Sequence, residues 1–320
     1  MKISAFTFVR NAVSLDYPAR EAITSLLPLV DEFVINVGTL GDEPDDGTLA
    51  LVKSIESPKI RILQSQWNPL LKGGGYVYAQ QTNIALLNCT GHWAIYVQCD
   101  EILHEEDHDL LREAMNRYGD DHRVDGLSAR QINFFRDYDK VICVDPYIRR
   151  RKAWIVKPHH FVLSRGDAAS FAVLPKYKER GRKLRIMETA ARQYHYGAVK
   201  NLTTLRDKLK NTTQFWEGRE EDAMKEEEEI SYQTHPRSAL AQFTGSHPAI
   251  MAERIRLHEP SLDLDSPKFR TELTFGEKRQ RLKGWLADKV NDRFISRSDY
   301  HLLGRHSVAP DLRDSITNAG

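Results

Sequence analysis

Cysteine is scarce in this chain of 320 residues: there are three, Cys89, Cys99 and Cys143. No two stand at CxxC or another metal-ligand spacing, so the sequence offers neither a zinc module nor a disulfide framework. An odd, sparse set fits a reducing, cytoplasmic setting, and the three read as small buried residues. No apolar run approaches the roughly 20 residues that a bilayer-spanning helix needs. The opening Met1-to-Ala12 stretch lacks the longer apolar region and small-residue cleavage site of a secretory leader and reads as a first strand. The glycosylation-like triplets starting at Asn88, Asn201 and Asn211 are then chance matches. Net charge is only +1, so no whole-protein field draws in nucleic acid, which is disfavoured as a partner. Arg149-Arg150-Arg151-Lys152 is a short basic run that reads as a solvated strand end. Two nucleotide-binding signatures are missing as well. Arg10-Asn11-Ala12 follows the first strand where GxGxxG would have to begin, Gly73-Gly74-Gly75 has the wrong place and spacing, and there is no GxxxxGK(S/T) loop.

What is there begins as an alternation of strands and helices. Ile3 to Val9 is a short apolar, aromatic run, as a buried strand requires. Ile23, Leu26, Leu27 and Val30 form a helical stripe. Strands over 32–37, 59–64 and 93–97 alternate with helices over 48–55, 80–87 and 105–118. Short connections between alternating elements predict a mostly parallel, Rossmann-like α/β sheet flanked by helices. After Asp125 the pattern shifts to strands joined by turns, over 126–135, 140–144, 154–156 and 185–195. From Thr203 the chain is charged and reads as a helix-rich extension, giving units 1–200 and 201–320. Within it Glu217 to Glu229 is an acidic, solvated run, Thr234 to Ile255 is turns plus a helix, and Arg279 to Phe294 is a basic amphipathic helix with Leu282, Trp285 and Leu286 inward. Residues 311–320 read as a frayed end.

In open parallel sheets, ligands bind beyond the carboxyl ends of the strands. Those ends carry Arg10 and Asn11, then Gly38 with the acidic loop holding Asp45 and Asp46, then Trp67 and Lys72, then Gln98, Asp100 and Glu101. Cations, amides and a carboxylate pair on one edge suit a phosphorylated ligand held with a divalent cation.

Phe8-Val9-Arg10-Asn11, Asp46-Gly47-Thr48, Ala79 with Thr82-Asn83-Ile84-Ala85, and Gly91 and Trp93 leading into Tyr96-Val97-Gln98-Cys99-Asp100-Glu101 resemble the family 2 glycosyltransferases over roughly the first 110 residues. Arg165-Gly166-Asp167-Ala168, His195-Tyr196-Gly197 and Gly245-Ser246-His247-Pro248 are similar to a bacterial subgroup of that family. The resemblance implies a GT-A fold, a nucleoside-diphosphate sugar donor, a Mn²⁺ or Mg²⁺ ion on the diphosphate, and transfer with inversion. It implies donor contacts from Arg10, Asn11, Asp46, Asn83, Gln98, Asp100 and Glu101, metal contacts from Asp100 and His195, and Asp167 as general base. The family's metal motif reads Asp-x-Asp; here Gln98 stands first, which puts metal dependence in question.

Each residue has a plainer structural role beside this one. Asp46 also suits a turn before the helix at Thr48, and Asp137 and Asp139 rival Asp167 as base. His159-His160 is a second histidine pair, and His247 suits a helix entry. Trp67, Trp93, Trp154 and Trp216 are stacking candidates or core residues. The expected acceptor is a cell-surface glycan or glycolipid precursor, met at the inner face of a membrane through the basic helix. Two alternatives stay open: a transferase decorating a nucleotide, DNA or protein, and a non-catalytic nucleotide-sugar-binding protein. The sequence leaves the sugar, the base and the oligomeric state undetermined.

Overall fold

The computed structural model describes residues 1–144, 151–168, 170–174, 181–215, 235–259, 270–279, 282, 300–307 and 316–318; of Arg151, Thr317 and Asn318 the backbone alone is described. Trp216, the acidic run Glu217–Glu229, the basic stretch 279–294 apart from Arg279 and Leu282, and Arg149 and Arg150 lie outside the described residues.

Four strands form the parallel half of the sheet: β1 (Ile3–Val9), β2 (Glu32–Leu40), β3 (Ile60–Trp67) and β4 (Trp93–Tyr96). Their order is β3-β2-β1-β4, with Phe6 opposite both Val34 and Tyr96. Strand order reverses between β1 and β4, which is where a doubly wound sheet opens its ligand crevice. β1, β2 and β4 are covered on both faces and largely apolar, whereas β3, at the end of the order, exposes Arg61, Gln64 and Gln66. Ala5, Val9, Phe33 and Ile35 pack with α1 (Ala19–Leu26), α2 (Thr48–Lys53) and α4 (His108–Tyr118). Phe6, Val34 and Tyr96 pack with Ala85 and Leu86 of α3 (Tyr76–Leu86). The period of two along a strand explains the split.

Beyond β4 the sheet is mixed, which corrects the expectation of a mostly parallel one. β5 (Glu101–Leu103) follows β4, and β6 (Gly126–Phe135), β7 (Asp137–Ile142) and β8 (Arg151–Val156) add antiparallel neighbours to the sheet. Arg136, alone between β6 and β7 and with φ 68°, turns the chain. A parallel return would need a crossover of a dozen or more residues. β9 (Val162–Ser164) and β10 (Phe171–Val173) form a hairpin, and β10 pairs with the 17-residue β11 (Arg182–Ala198). β11 also pairs with β6 and with β5, so it curls the sheet across two neighbours.

Past residue 201 the described residues include α5 (Leu202–Thr213), a short helix over Ala252–Arg256, helical residues 275–279, and three strands that join the sheet: β12 (Leu240–Phe243), β13 (Tyr300–Arg305) and β14 (Ile316–Asn318). Strand β14 pairs with β12 where a frayed end was expected, because Ile316 packs beside the buried Phe243. Leu282, expected to face inward, is exposed. The three cysteines are free and half-buried. Among the described residues no helix is long and apolar enough to cross a membrane.

Candidate functional site

A cavity of 260 Å³ opens at the carboxyl ends of β1, β3 and β4. One wall is aromatic. Phe8, Trp67 and Tyr78 meet with ring centroids 5.6–6.0 Å apart, and Phe215 packs behind Trp67 and Tyr78. The Arg10 guanidinium lies 5.4 Å over the Trp67 ring and is paired with Glu43 at 2.8 Å. The polar wall carries Asn11, Gln98, Asp100, His195, Lys208 and, from the β9–β10 turn, Asp167.

Asp100 is buried. The Lys208 ammonium donates to its Oδ2 at 2.9 Å and to the Gly197 carbonyl at 2.8 Å, and His195 Nε2 stands 3.6 Å from the same Oδ2. Burial alone would lift the pKa of Asp100, but Lys208, His195 and Lys200 outweigh it and hold the carboxyl well below the usual carboxylate range. Burial pushes the His195 imidazole below its ordinary value against the pull of Asp100, which leaves it neutral at pH 7. A Cβ at Gly197 would run into Asp100 Oδ2, Lys208 Nζ and His195 Nε2, so only glycine lets these three groups converge.

Six residues expected from the sequence therefore line one cavity: Arg10, Asn11, Gln98, Asp100, Asp167 and His195. Asp46, Asn83 and Glu101 are not among its lining residues; each holds an element that is. Asp46 accepts from the Ser14 and Thr48 amides at 2.8 and 3.1 Å, and Thr48 Oγ1 accepts from the Ala12 amide, which ties down the turn after Arg10. Asn83 Nδ2 donates to the Ser164 carbonyl at 3.0 Å while its Oδ1 accepts from the Ser164 amide at 2.8 Å. Glu101 is fully buried, paired with Lys152 at 2.7 Å, and accepts from Gln131, Gln193 and the Gln98 amide at 2.9 Å each. A buried acid directly after the strand is thus an anchor for the Gln98–Asp100 turn.

The basic run loses Lys152 to this buried pair. Asp137 meets His258 at 3.0 Å and Asp139 meets Lys140 at 2.9 Å, both outside the cavity lining, so of the three rival acids Asp167 is the one at the cavity. His160 bonds Asp125 at 3.0 Å, and His247 Nδ1 shares a hydrogen bond of 2.7 Å with the Tyr196 hydroxyl just before the Ala249–Met251 turn. Trp93 and Trp154 are core residues, whereas Trp67 lines the cavity.

Sequence reasoning missed Tyr17, Tyr78 and the contribution of α5. Lys208, Asn211 and Thr212 lie at helical spacing on one face of α5 and close the cavity from the side of the extension. The signal was weak: a lysine and an asparagine in a polar helix, far along the chain from Asp100. Asn11, at φ 55°, reaches Asn211 Oδ1 at 3.2 Å.

The donor set does not fit the divalent ion that the resemblance implies. Among the described residues no three of His, Cys, Asp and Glu gather as metal ligands. Asp100 and His195 converge, Gln98 is the residue where a second acid would stand, and the ammonium of Lys208 already bonds Asp100.

No family model matches the chain, and no curated protein matches it. Among solved structures it is similar to S. aureus TarS at 16% identity and TM-score 0.37, over 73% of this chain and 42% of that one, so it spans less than half of that protein's length. It is similar to S. aureus TarS 1-349 in complex with UDP-GlcNAc at 21% identity and TM-score 0.34, over 50% of this chain and 46% of that one. It is also similar to glucosyl-3-phosphoglycerate synthase from Mycobacterium tuberculosis in complex with Mn²⁺, UDP and phosphoglyceric acid at 15% identity and TM-score 0.28, over 41% of this chain and 43% of that one.

Proposed function

We propose that the chain is a glycosyltransferase that moves a sugar from a nucleoside-diphosphate donor to an acceptor hydroxyl with inversion. One observation carries the reading. The crevice at the β1/β4 switch point joins an aromatic wall to two cations, Arg10 and Lys208, and sets a second acid, Asp167, apart from the buried Asp100. A flat base suits Phe8, Trp67 and Tyr78, and a diphosphate suits Arg10 and Lys208.

The chemistry follows from that placement. The acceptor oxygen attacks the anomeric carbon opposite the leaving group. The bond from that carbon to the diphosphate oxygen breaks, and its electron pair stays on the diphosphate. The acceptor proton passes to the Asp167 carboxylate. A single displacement inverts the anomeric centre. Arg10 and Lys208 stabilise the charge as it builds on the departing oxygen.

Within this reading residues 1–200 are the catalytic unit and 201–320 an extension whose α5 completes the cavity. The acceptor is a cell-surface glycan or glycolipid precursor, reached from the cytoplasmic side. The exposed Phe275 and Leu282, beside the basic stretch that begins at Arg279, suit a peripheral membrane contact.

The test is a thermal-shift panel of UDP, GDP, CDP and dTDP with their sugars, followed by donor turnover. A ligand at a hundred times its Kd adds about 2.7 kcal/mol. One nucleotide should raise the midpoint, and Asp167→Asn should keep that shift while slowing turnover roughly 10²- to 10⁴-fold. Binding without turnover would favour a non-catalytic nucleotide-sugar-binding protein. No shift with any nucleotide would sink both.

A further inference from the structure

We propose that Lys208 is itself the cation that meets the diphosphate, in place of a divalent metal ion; the inference rests on the glycosyltransferase reading above. Three observations on different elements carry it. First, the turn after β4 offers one carboxylate to the cavity, Asp100, with the amide of Gln98 two residues earlier. An amide is a neutral ligand and a histidine binds a metal as the neutral imidazole, so Gln98, Asp100 and His195 would bring a single negative charge between them, poor for a hard divalent cation. Second, the position beside Asp100 Oδ2 is taken by the Lys208 ammonium at 2.9 Å. Third, the fold builds that contact. Gly197 supplies its carbonyl to the same ammonium and has no Cβ to keep the group away, and α5 is fixed at its start by Asn201, which accepts from the Thr204 amide at 2.8 Å.

An ammonium has three N–H donors. Two go to Asp100 and Gly197, which leaves one for a phosphate oxygen at the cavity surface. Asp100 in this arrangement is a positioning residue: it accepts from Lys208 and orients its ammonium. During transfer the electron pair of the broken bond ends on a diphosphate oxygen, and Lys208 with Arg10 meets that charge without an added ion.

Isothermal calorimetry with UDP and GDP as probes, each in EDTA and in Mn²⁺, tests the proposal. The wild type is expected to bind its nucleotide with the same affinity in both buffers. Lys208→Met should weaken binding roughly 10- to 100-fold in both, the worth of a charged hydrogen bond. Asp100→Asn serves as the second variant, which keeps the test decisive where Lys208→Met does not fold. An asparagine still accepts from Lys208, so binding in EDTA should persist, whereas a metal ligand at this position predicts its loss in Mn²⁺. Wild-type binding that appears only with Mn²⁺, or a folded Lys208→Met protein with unchanged affinity, overturns the role of Lys208 and leaves the glycosyltransferase reading standing. No binding of any nucleoside diphosphate in either buffer overturns both.

Discussion

The side-chain amide of Asn83 closes on both backbone polar groups of Ser164, donating to its carbonyl at 3.0 Å and accepting from its amide at 2.8 Å. This ties α3 to the strand that leads into the Asp167 turn. Ser164 Oγ in turn donates to the Asp167 carbonyl at 2.5 Å, so one amide and one hydroxyl fix the loop that carries Asp167, the proposed general base. Gly166, at φ 81°, provides the left-handed residue of that loop.

Asn83→Leu removes the clamp without touching the cavity lining. Misplacing a reacting group by about 1 Å lowers turnover roughly 100-fold at most. The expected result is a kcat reduced by about 10- to 100-fold with the donor KM nearly unchanged. Asn83→Asp keeps the acceptor and loses the donor, and should fall between the two. Steady-state kinetics that showed KM rising with kcat unaltered would place Asn83 in donor binding instead.

Strands whose pattern is local were legible in the sequence. Ile3–Val9 and Gly126–Phe135 match to the residue, the first as a short, mostly apolar run and the second as a segment ending in Phe134-Phe135 between Asp125 and Arg136. β12 was not legible: Leu240–Phe243 is short and flanked by Pro236 and Gly245, and its partner β7 lies about a hundred residues earlier. At the site, the strand-end rule found Arg10, Asn11, Gln98 and Asp100, since topology alone puts strand ends together. The same rule cannot tell a carboxylate that turns into the crevice from one that turns into the core. Asp100 and Glu101 are adjacent, and the pleat sends Glu101 to Lys152, Gln131 and Gln193 instead. Nor does any local pattern link Lys208 to Asp100, because that pairing depends on where α5 docks.

The Glu101–Lys152 pair should dominate mutational stability. Both side chains are buried, and breaking such a pair by removing one partner costs about 3–5 kcal/mol. Lys152→Met leaves the carboxylate without its cation, so the thermal midpoint should drop by roughly 10 °C. The double variant Lys152→Met with Glu101→Gln removes the orphan charge and should recover much of the loss. Differential scanning of the three variants decides it, and a drop in the double variant as deep as in the single one would contradict the pairing.

Lys200 predicts a pH dependence. It is buried, it donates to the Asp16 carbonyl at 2.5 Å, and its ammonium lies 4.6 Å over the Tyr17 ring. Burial first, then the nearby Lys208, lower its pKa from 10.5 to about 8. In the unfolded chain it keeps its proton to about pH 10. Between these values the unfolded chain binds more protons than the folded one, so stability rises with pH, by an amount on the order of 3 kcal/mol over the whole window. Lys200→Met should flatten that rise. Urea titrations at about pH 7 and about pH 9.5 measure it, and an equal slope in wild type and variant would remove Lys200 as its source.

Gly38 should matter through Trp67. A Cβ at Gly38 would overlap the indole Nε1 and sit 2.6 Å from Cδ1, so Gly38→Ala must push the ring out of the aromatic wall. Trp67 is tightly held there by Phe8, Tyr78 and Phe215, with little room to yield. If the donor's base rests on this wall, Gly38→Ala weakens the nucleoside and the nucleoside diphosphate alike, by roughly 5- to 100-fold, the span of an aromatic stacking contact. Pyrophosphate has no base and answers only to the cations, so its affinity should stay put. Parallel titrations with uridine, UDP and pyrophosphate therefore separate the two walls of the cavity. A loss that includes pyrophosphate would mean that Gly38→Ala disturbs Arg10 through its stacking on Trp67, and that the base lies elsewhere.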